Sequence, residues 1–287
     1  MPNFSEGRNP ATMAALAAAI QEVSGVALLG LESDADHHRS VITFAGEPEG
    51  VLEAAVRAVG KAAELIDLRR HAGVHPRVGA ADVVPFVPLA DSTLEDCAAI
   101  AHRAGAEIWR RFGVPVYFYE AAAKDEARKR LEKTRRTGFD GRPPDVGDIP
   151  EHASAGGAMV GARRFLIAYN INLTTPDAAI AKQIAVKIRE SSGGFRFVKA
   201  MGLHLASLGR AQVSMNLTNF AETNLDGLYA AVEAEAARLG AAIAESELIG
   251  FIPRAAYQRW PSFFNRIRGF SEGRIIENRI AQLLQSK

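Results

Sequence analysis

Residues 71–80 read His71-Ala72-Gly73-Val74-His75-Pro76-Arg77-Val78-Gly79-Ala80, which puts two imidazoles, a guanidinium and two glycines into one short segment. An imidazole titrates near neutrality, at ~6.5 when unperturbed, so it suits the task of taking and returning a proton within one reaction cycle. Pro76 restricts the residue before it to an extended backbone, which limits where the His75 ring can point. Gly73 and Pro76 oppose a helix through 71–75, so His71 and His75 do not share a helix face as a metal-binding pair would. His37 and His38 add two more imidazoles, but no acidic or Cys partner falls at a recognised ligand spacing, and no metal site is expected. Two readings of the segment stand on residue types alone. It is a proton-transfer loop, or it is a polar loop of solvated histidines, the commoner outcome for such a composition.

A second segment runs Gly161-Ala162-Arg163-Arg164-Phe165-Leu166-Ile167-Ala168-Tyr169-Asn170-Ile171-Asn172-Leu173. Its glycine permits close approach of the backbone to a ligand, and its two arginines are forked donors suited to carboxylates. Asn170 and Asn172 recur at period two on one face of an apolar strand. That pattern fits a solvated face and a binding face equally. Gly156 and Gly161 have the spacing of a phosphate loop, yet Ala162-Arg163 stand where Lys and Ser/Thr are required. No G-x-G-x-x-G follows a strand.

The elements that must carry these segments follow from periodicity and punctuation. Asn9-Pro10 opens a helix that ends near Gly25, with strands over 26–29 and 40–45. Val51, Ala55, Val59, Ala62 and Ile66 predict an amphipathic helix over 50–70. A strand at 83–87 holds Pro85, which points to an edge or a strand end. A helical stripe from Leu94 to Phe112 precedes a strand at 114–119, then a basic helical stretch over 120–136. Residues 137–160 form a Gly/Pro-rich loop longer than is usual unless it binds something or covers a site. The second half predicts a strand at 164–173, a helix at 177–190 and strands at 195–205 and 211–217. A helix then ends at Gly240, a strand spans 244–252, and a basic helix closes the chain. Strand-helix-strand-strand-helix-strand is the split β-α-β pattern of ferredoxin-like folds, and the first half repeats the alternation with an extra helix–strand unit. The expectation is an α+β protein of two sandwich subdomains, each a mixed sheet covered by helices. The junction is placed at Thr174-Thr175-Pro176, giving subdomains 1–176 and 177–287, with the active site in the cleft between them.

Composition narrows the function classes. The 287 residues suit two ordinary domains, and 48% hydrophobic content supports real cores. A formal net charge of +1 argues against nucleic acid or a membrane surface as partner. One cysteine, Cys97, excludes an internal disulfide framework and belongs on the apolar stripe of its helix. Neither a spanning run nor a signal peptide is evident, so a cytoplasmic location is expected.

At these residues the chain resembles the formiminotransferase domain of formiminotransferase-cyclodeaminase and its stand-alone bacterial counterparts. The resemblance rests on Pro2 to Arg8 (PNFSEGR), His38-Arg39-Ser40-Val41, Ile66-Asp67-Leu68, His75 to Val83 (HPRVGAADV), Pro115-Val116-Tyr117, Gly161 to Leu173, Gln212 to Leu217 and Glu247-Leu248-Ile249-Gly250, in order along the chain. It implies an enzyme that moves a formimino group from formiminoglutamate to tetrahydrofolate, often polyglutamylated, and a homodimer. It implies that His75 is the catalytic histidine and that Gly161, Ala162, Arg163, Arg164, Phe165, Leu166, Ile167, Ala168, Tyr169 and Asn170 bind the folate. Arg39 and Arg77 become candidates for holding substrate carboxylates. Alternatives are a transferase of a related donor such as formylglutamate, or a non-catalytic folate- or partner-binding relative. Val74 stands where the family usually has Glu before the catalytic histidine, His38 where Asn is usual, His204 where an aromatic is usual, and Gly30 and Glu32 occupy a region that often carries acids.

Overall fold

The computed structural model describes residues 1–132 and 142–285. Contacts divide the chain into two units, Met1–Arg164 and Phe165–Lys287. The strand expected to end the first half pairs only with strands of the second, so the contact boundary falls ahead of the Thr174–Pro176 junction.

The first unit runs β1 (Asn3–Phe4), α1 (Pro10–Gln21), β2 (Val26–Asp34), β3 (Arg39–Gly46), α2 (Pro48–Leu65), β4 (Ala81–Phe86), α3 (Leu94–Phe112), β5 (Val116–Glu120) and β6 (Ala158–Ala162). Asn9 starts α1 by accepting from the Ala11 and Thr12 amides, with Pro10 in the first turn. Thr93 and Asp96 form a reciprocal capping box on α3, and Gly113 ends it in the left-handed region. The six strands lie in the order β2-β3-β1-β4-β6-β5. β1 is antiparallel to both β3 and β4, whereas β6 is parallel to β4 and β5. Leu16, Ile20, Val56, Val59, Ile108 and the predicted stripe residue Cys97 pack into one core with Ile42, Val84 and Val160.

The second unit runs β7 (Ile167–Leu173), α4 (Ala178–Ile188), β8 (Val198–Leu205), β9 (Arg210–Leu217), α5 (Leu225–Arg238) and β10 (Ile243–Ile249), then α6 (Arg254–Arg259), α7 (Pro261–Asn265) and α8 (Ile276–Gln285). Its sheet order is β10-β7-β9-β8, antiparallel throughout. That is the predicted split β-α-β arrangement, and the order β4-β1-β3-β2 repeats it inside the first unit. Tyr169, Ile171, Val213 and Met215 point into the core shared with Ile184, Leu228 and Val232. The α+β reading therefore holds, with a mixed sheet in one unit and an antiparallel sheet in the other.

Four local expectations change. α2 stops at Leu65 because Ile66 turns extended into the core and Asp67 caps a fresh short turn over Leu68–Arg70. The helix expected from residue 120 is instead a left-handed Glu120 followed by a short turn, Glu126–Arg128, whose amide Asp125 caps. The basic end of that stretch, Lys133 to Arg136, lies outside the described residues. β6 emerges largely from the region read as loop, because a five-residue run with glycines before it and within it carries little strand signal. The single basic terminal helix becomes three short ones, with Pro261 starting the second. No helix among the described residues is long and apolar enough to cross a membrane.

Candidate active site

The 71–77 segment sits on the tight turn between β2 and β3. The Val74 amide donates to the Asp36 carbonyl at 3.2 Å. The Arg77 guanidinium donates to the carbonyls of His37 (3.1 Å), His38 (3.4 Å) and His75 (3.1 Å), and to Nδ1 of His71. The rings of His38 and His71 stack at 3.6 Å with 14° between their planes. His38 Nδ1 meets the Ala72 carbonyl at 3.0 Å, and its Nε2 meets Glu6 Oε1 at 3.1 Å. Gly73 lacks a Cβ where one would run into Arg77, the His37 carbonyl and His38. The loop is thus fixed by hydrogen bonds from a charged guanidinium, the stronger kind.

Within that loop His75 Nδ1 lies 2.7 Å from the carbonyl of Pro76. A carbonyl only accepts, so the bond fixes the proton on Nδ1 and makes Nε2 the basic nitrogen of the neutral ring. The His37 ring is 6.1 Å away, and Asp34 Oδ1 holds its Nδ1 at 2.9 Å. His75 lines a cleft of about 640 Å³ together with His71, Arg69, Glu151 and His152. The opposite wall is tied to the loop's flanks. Leu68 donates to the Ser154 carbonyl, and Gly157 to that of Val78. His152 Nδ1 accepts from the amides of Ser154 (3.3 Å) and Ala155 (3.1 Å), which puts its proton on Nε2.

The charges follow from these contacts. Burial first, then electrostatic repulsion from Arg77 and His38, pushes His71 down to about 4, so it is neutral near pH 7. Burial raises the Glu6 carboxyl, but the amides of Arg8 and Asn9 and the His38 ring outweigh it and hold it below its ordinary range. Burial also lowers Arg77 somewhat, against the pull of Asp82. Glu6, His38 and His71 bring three potential metal-binding atoms within 4.8 Å of one another. However, Arg77 donates into His71 Nδ1, which commits the remaining proton to Nε2 and leaves no lone pair there for a cation.

The other expected residues are placed as follows. Arg39 is buried on Asp82 and Asn3, and Arg77 is engaged inside the loop, so both guanidiniums brace the protein. Gly161 and Ala162 lie in β6 and Ile167 and Tyr169 in the second core, where they set backbone course. Arg163, Arg164, Phe165, Leu166 and Ala168 keep accessible surface. Asn170 donates to Glu247 at 3.0 Å within a polar face of the second sheet that also joins Gln212 and Asn172. Glu6, the Asp34–His37 pair and His152 were not singled out by sequence reading. Only the unusual length of the 137–160 loop signalled the last.

Residues 1–163 match the family described as formiminotransferase domain, N-terminal subdomain, and residues 168–283 match the formiminotransferase domain. The chain is 40% identical to the glutamate formimidoyltransferase of Streptococcus pyogenes serotype M1 over 98% of its own length and 97% of that protein. The Thermoplasma acidophilum protein of the same name is also 40% identical, covering 98% and 96%. Against the formimidoyltransferase-cyclodeaminase of Gallus gallus, 40% identity spans 89% of this chain and 50% of the longer protein. With two family matches that together span nearly its whole length, the chain belongs to the formiminotransferase family.

Proposed function

We propose that the chain is a glutamate formimidoyltransferase, moving the formimino group of N-formimino-L-glutamate to tetrahydrofolate with His75 as the proton carrier. The bond from His75 Nδ1 to the Pro76 carbonyl, in a ring that lines a cleft, carries the reading. It leaves Nε2 to accept and return one proton.

The steps balance without oxidant or reductant. Nitrogen 5 of the reduced pterin adds to the formimino carbon, forming one carbon–nitrogen bond and a tetrahedral centre. Its proton passes to His75 Nε2. The same proton is returned to the glutamate nitrogen as its bond to that carbon breaks, releasing glutamate. Exposed Arg164 and half-buried Arg163 suit the carboxylates of the folate's glutamyl tail, polyglutamylated or not. A homodimer and a cytoplasmic location belong to the same reading.

The test is turnover of formiminoglutamate with tetrahydrofolate, followed by absorbance of the folate product. His75→Ala should lower kcat by at least about 100-fold with folate affinity nearly unchanged. Wild-type turnover in that variant would overturn the assignment.

A further inference from the structure

We propose that His38 is a positioning residue for the loop that carries His75, and that it holds the loop only while both of its ring nitrogens are protonated. The inference rests on the reading of His75 above.

The Ala72 carbonyl and the Glu6 carboxylate both accept, and they face opposite nitrogens of the His38 ring. Only an imidazolium donates to both at once. The neutral ring keeps one bond and turns a lone pair toward an acceptor at the other. What it loses is a tie between the loop, through Ala72, and the Glu6 turn, which is itself fixed by the Arg8 and Asn9 amides. His38 also carries the stacked His71 ring and lends its carbonyl to Arg77, so a tilt of this residue moves the loop's two other attachments.

The backbone supports the same conclusion. His38 has φ of 49°, in the left-handed region that few non-glycine residues adopt. Such strain persists where surrounding contacts over-determine it. Here Gly73 closes on the His37 carbonyl and His38 Cβ, and Val74 bonds to Asp36, so three consecutive residues of the turn form the seat.

The groups that act on His38 are Glu6 from the N-terminal turn and His71 and Arg77 from the loop, with Arg8 near enough to depress both of the latter. On its own turn, Asp34 is taken by His37, and behind it Arg39 is paired with Asp82. Loss of the second ring proton of His38 breaks one of its two bonds and loosens the loop. Activity should therefore fall on the alkaline side for a reason separate from His75, whose own deprotonation raises activity.

The experiment compares the full-length protein with its His38→Asn variant, since Asn accepts a left-handed backbone and does not titrate. Side-chain ¹⁵N NMR of the wild type at pH 6 should show both His38 nitrogens protonated. Hydrogen exchange at the Val74 amide, corrected for the intrinsic rate, should lose protection in step with loss of the second ¹⁵N-detected His38 proton, while the variant shows low protection independent of pH. The alkaline limb of kcat should flatten in His38→Asn, with kcat lower by about tenfold and KM within about twofold. A wild-type ring with one proton at pH 6, or an alkaline limb and Val74 protection that His38→Asn leaves unmoved, would overturn the proposal. If His75→Ala retains turnover, the active-loop reading fails. If His75→Ala is inactive while His38→Asn behaves as wild type, only this inference fails.

Discussion

Arg39 Nη2 stands 2.6 Å from Asp82 Oδ2, and the carboxylate is wholly buried. The same carboxylate accepts the Val78 amide at 2.8 Å, and Arg39 reaches back to Asn3 on β1. One ion pair thus joins three strands of the first sheet to the end of the His75 loop. Removing one partner of a buried pair leaves the other charge uncompensated, so Asp82→Asn should cost about 3–5 kcal/mol in a urea melt. A double-mutant cycle with Arg39 should show strong coupling, and additive losses would contradict the link.

Gly73→Ala should separate activity from stability. The added methyl meets Arg77, the His37 carbonyl and His38, and must displace the loop from its seat. A shift of that size at a catalytic group costs on the order of 100-fold in kcat. Steady-state kinetics and a thermal melt on one sample would check this: a large loss of kcat with a small change in Tm is expected.

His71 sets a pH dependence of folding. Its folded pKa is about 4 against an unfolded value of about 6.5, so the folded state favours the neutral ring. Above pH 6.5 there is no penalty. As pH falls from 6.5 toward 4, the unfolded chain binds a proton that the folded ring refuses, and stability is lost. Denaturant titrations across this range should slope downward toward acid, and His71→Asn should reduce the slope. An unchanged slope would show that His71 is not depressed.

Substitution at His71 should not be silent. The ring is stacked, bonded to Arg77 and half-buried, so substituting it should disturb the loop itself.

Arg163→Ala and Arg164→Ala should each weaken a polyglutamylated folate by about 1–3 kcal/mol, as loss of a charge-assisted hydrogen bond does. The loss should shrink at high salt for the more exposed Arg164. Equal titration curves for wild type and both variants would remove these residues from the folate reading.

The sequence made some of this legible and hid the rest for identifiable reasons. The long helices declared themselves, because α3 carries its capping box and its Cys97–Ala101–Ala104–Ile108 stripe in the residues themselves. The second unit's topology followed from alternation and turn residues. β1 and β6 were missed because two residues, or five that include a glycine, hold little periodicity; both are set by the neighbours they pair with. At the candidate site, the histidine-rich loop was visible in its composition, although the role expected of His75 came from the family resemblance alone. The roles of Arg39 and Arg77 were not visible, because a guanidinium looks the same in sequence whether a carboxylate comes from a ligand or from Asp82. Glu6 and His152 reach the site from distant parts of the chain, and nothing local announces that.

The insertion of β6 between β4 and β5 bears on how the chain acquires its shape during synthesis. Among the described residues β5 pairs with no strand but β6, and β6 lies some forty residues further along. Until Ala158–Ala162 has left the ribosome, β5 and one edge of β4 present unsatisfied amides and carbonyls. Parallel pairing across so long a gap closes slowly, because loop entropy must be met before contacts reward it. The second unit closes β8 on β9 through a short hairpin, but its β7 likewise waits for β10, some seventy residues further along. While it waits, the first unit's exposed strand edges make it a segment in need of chaperones.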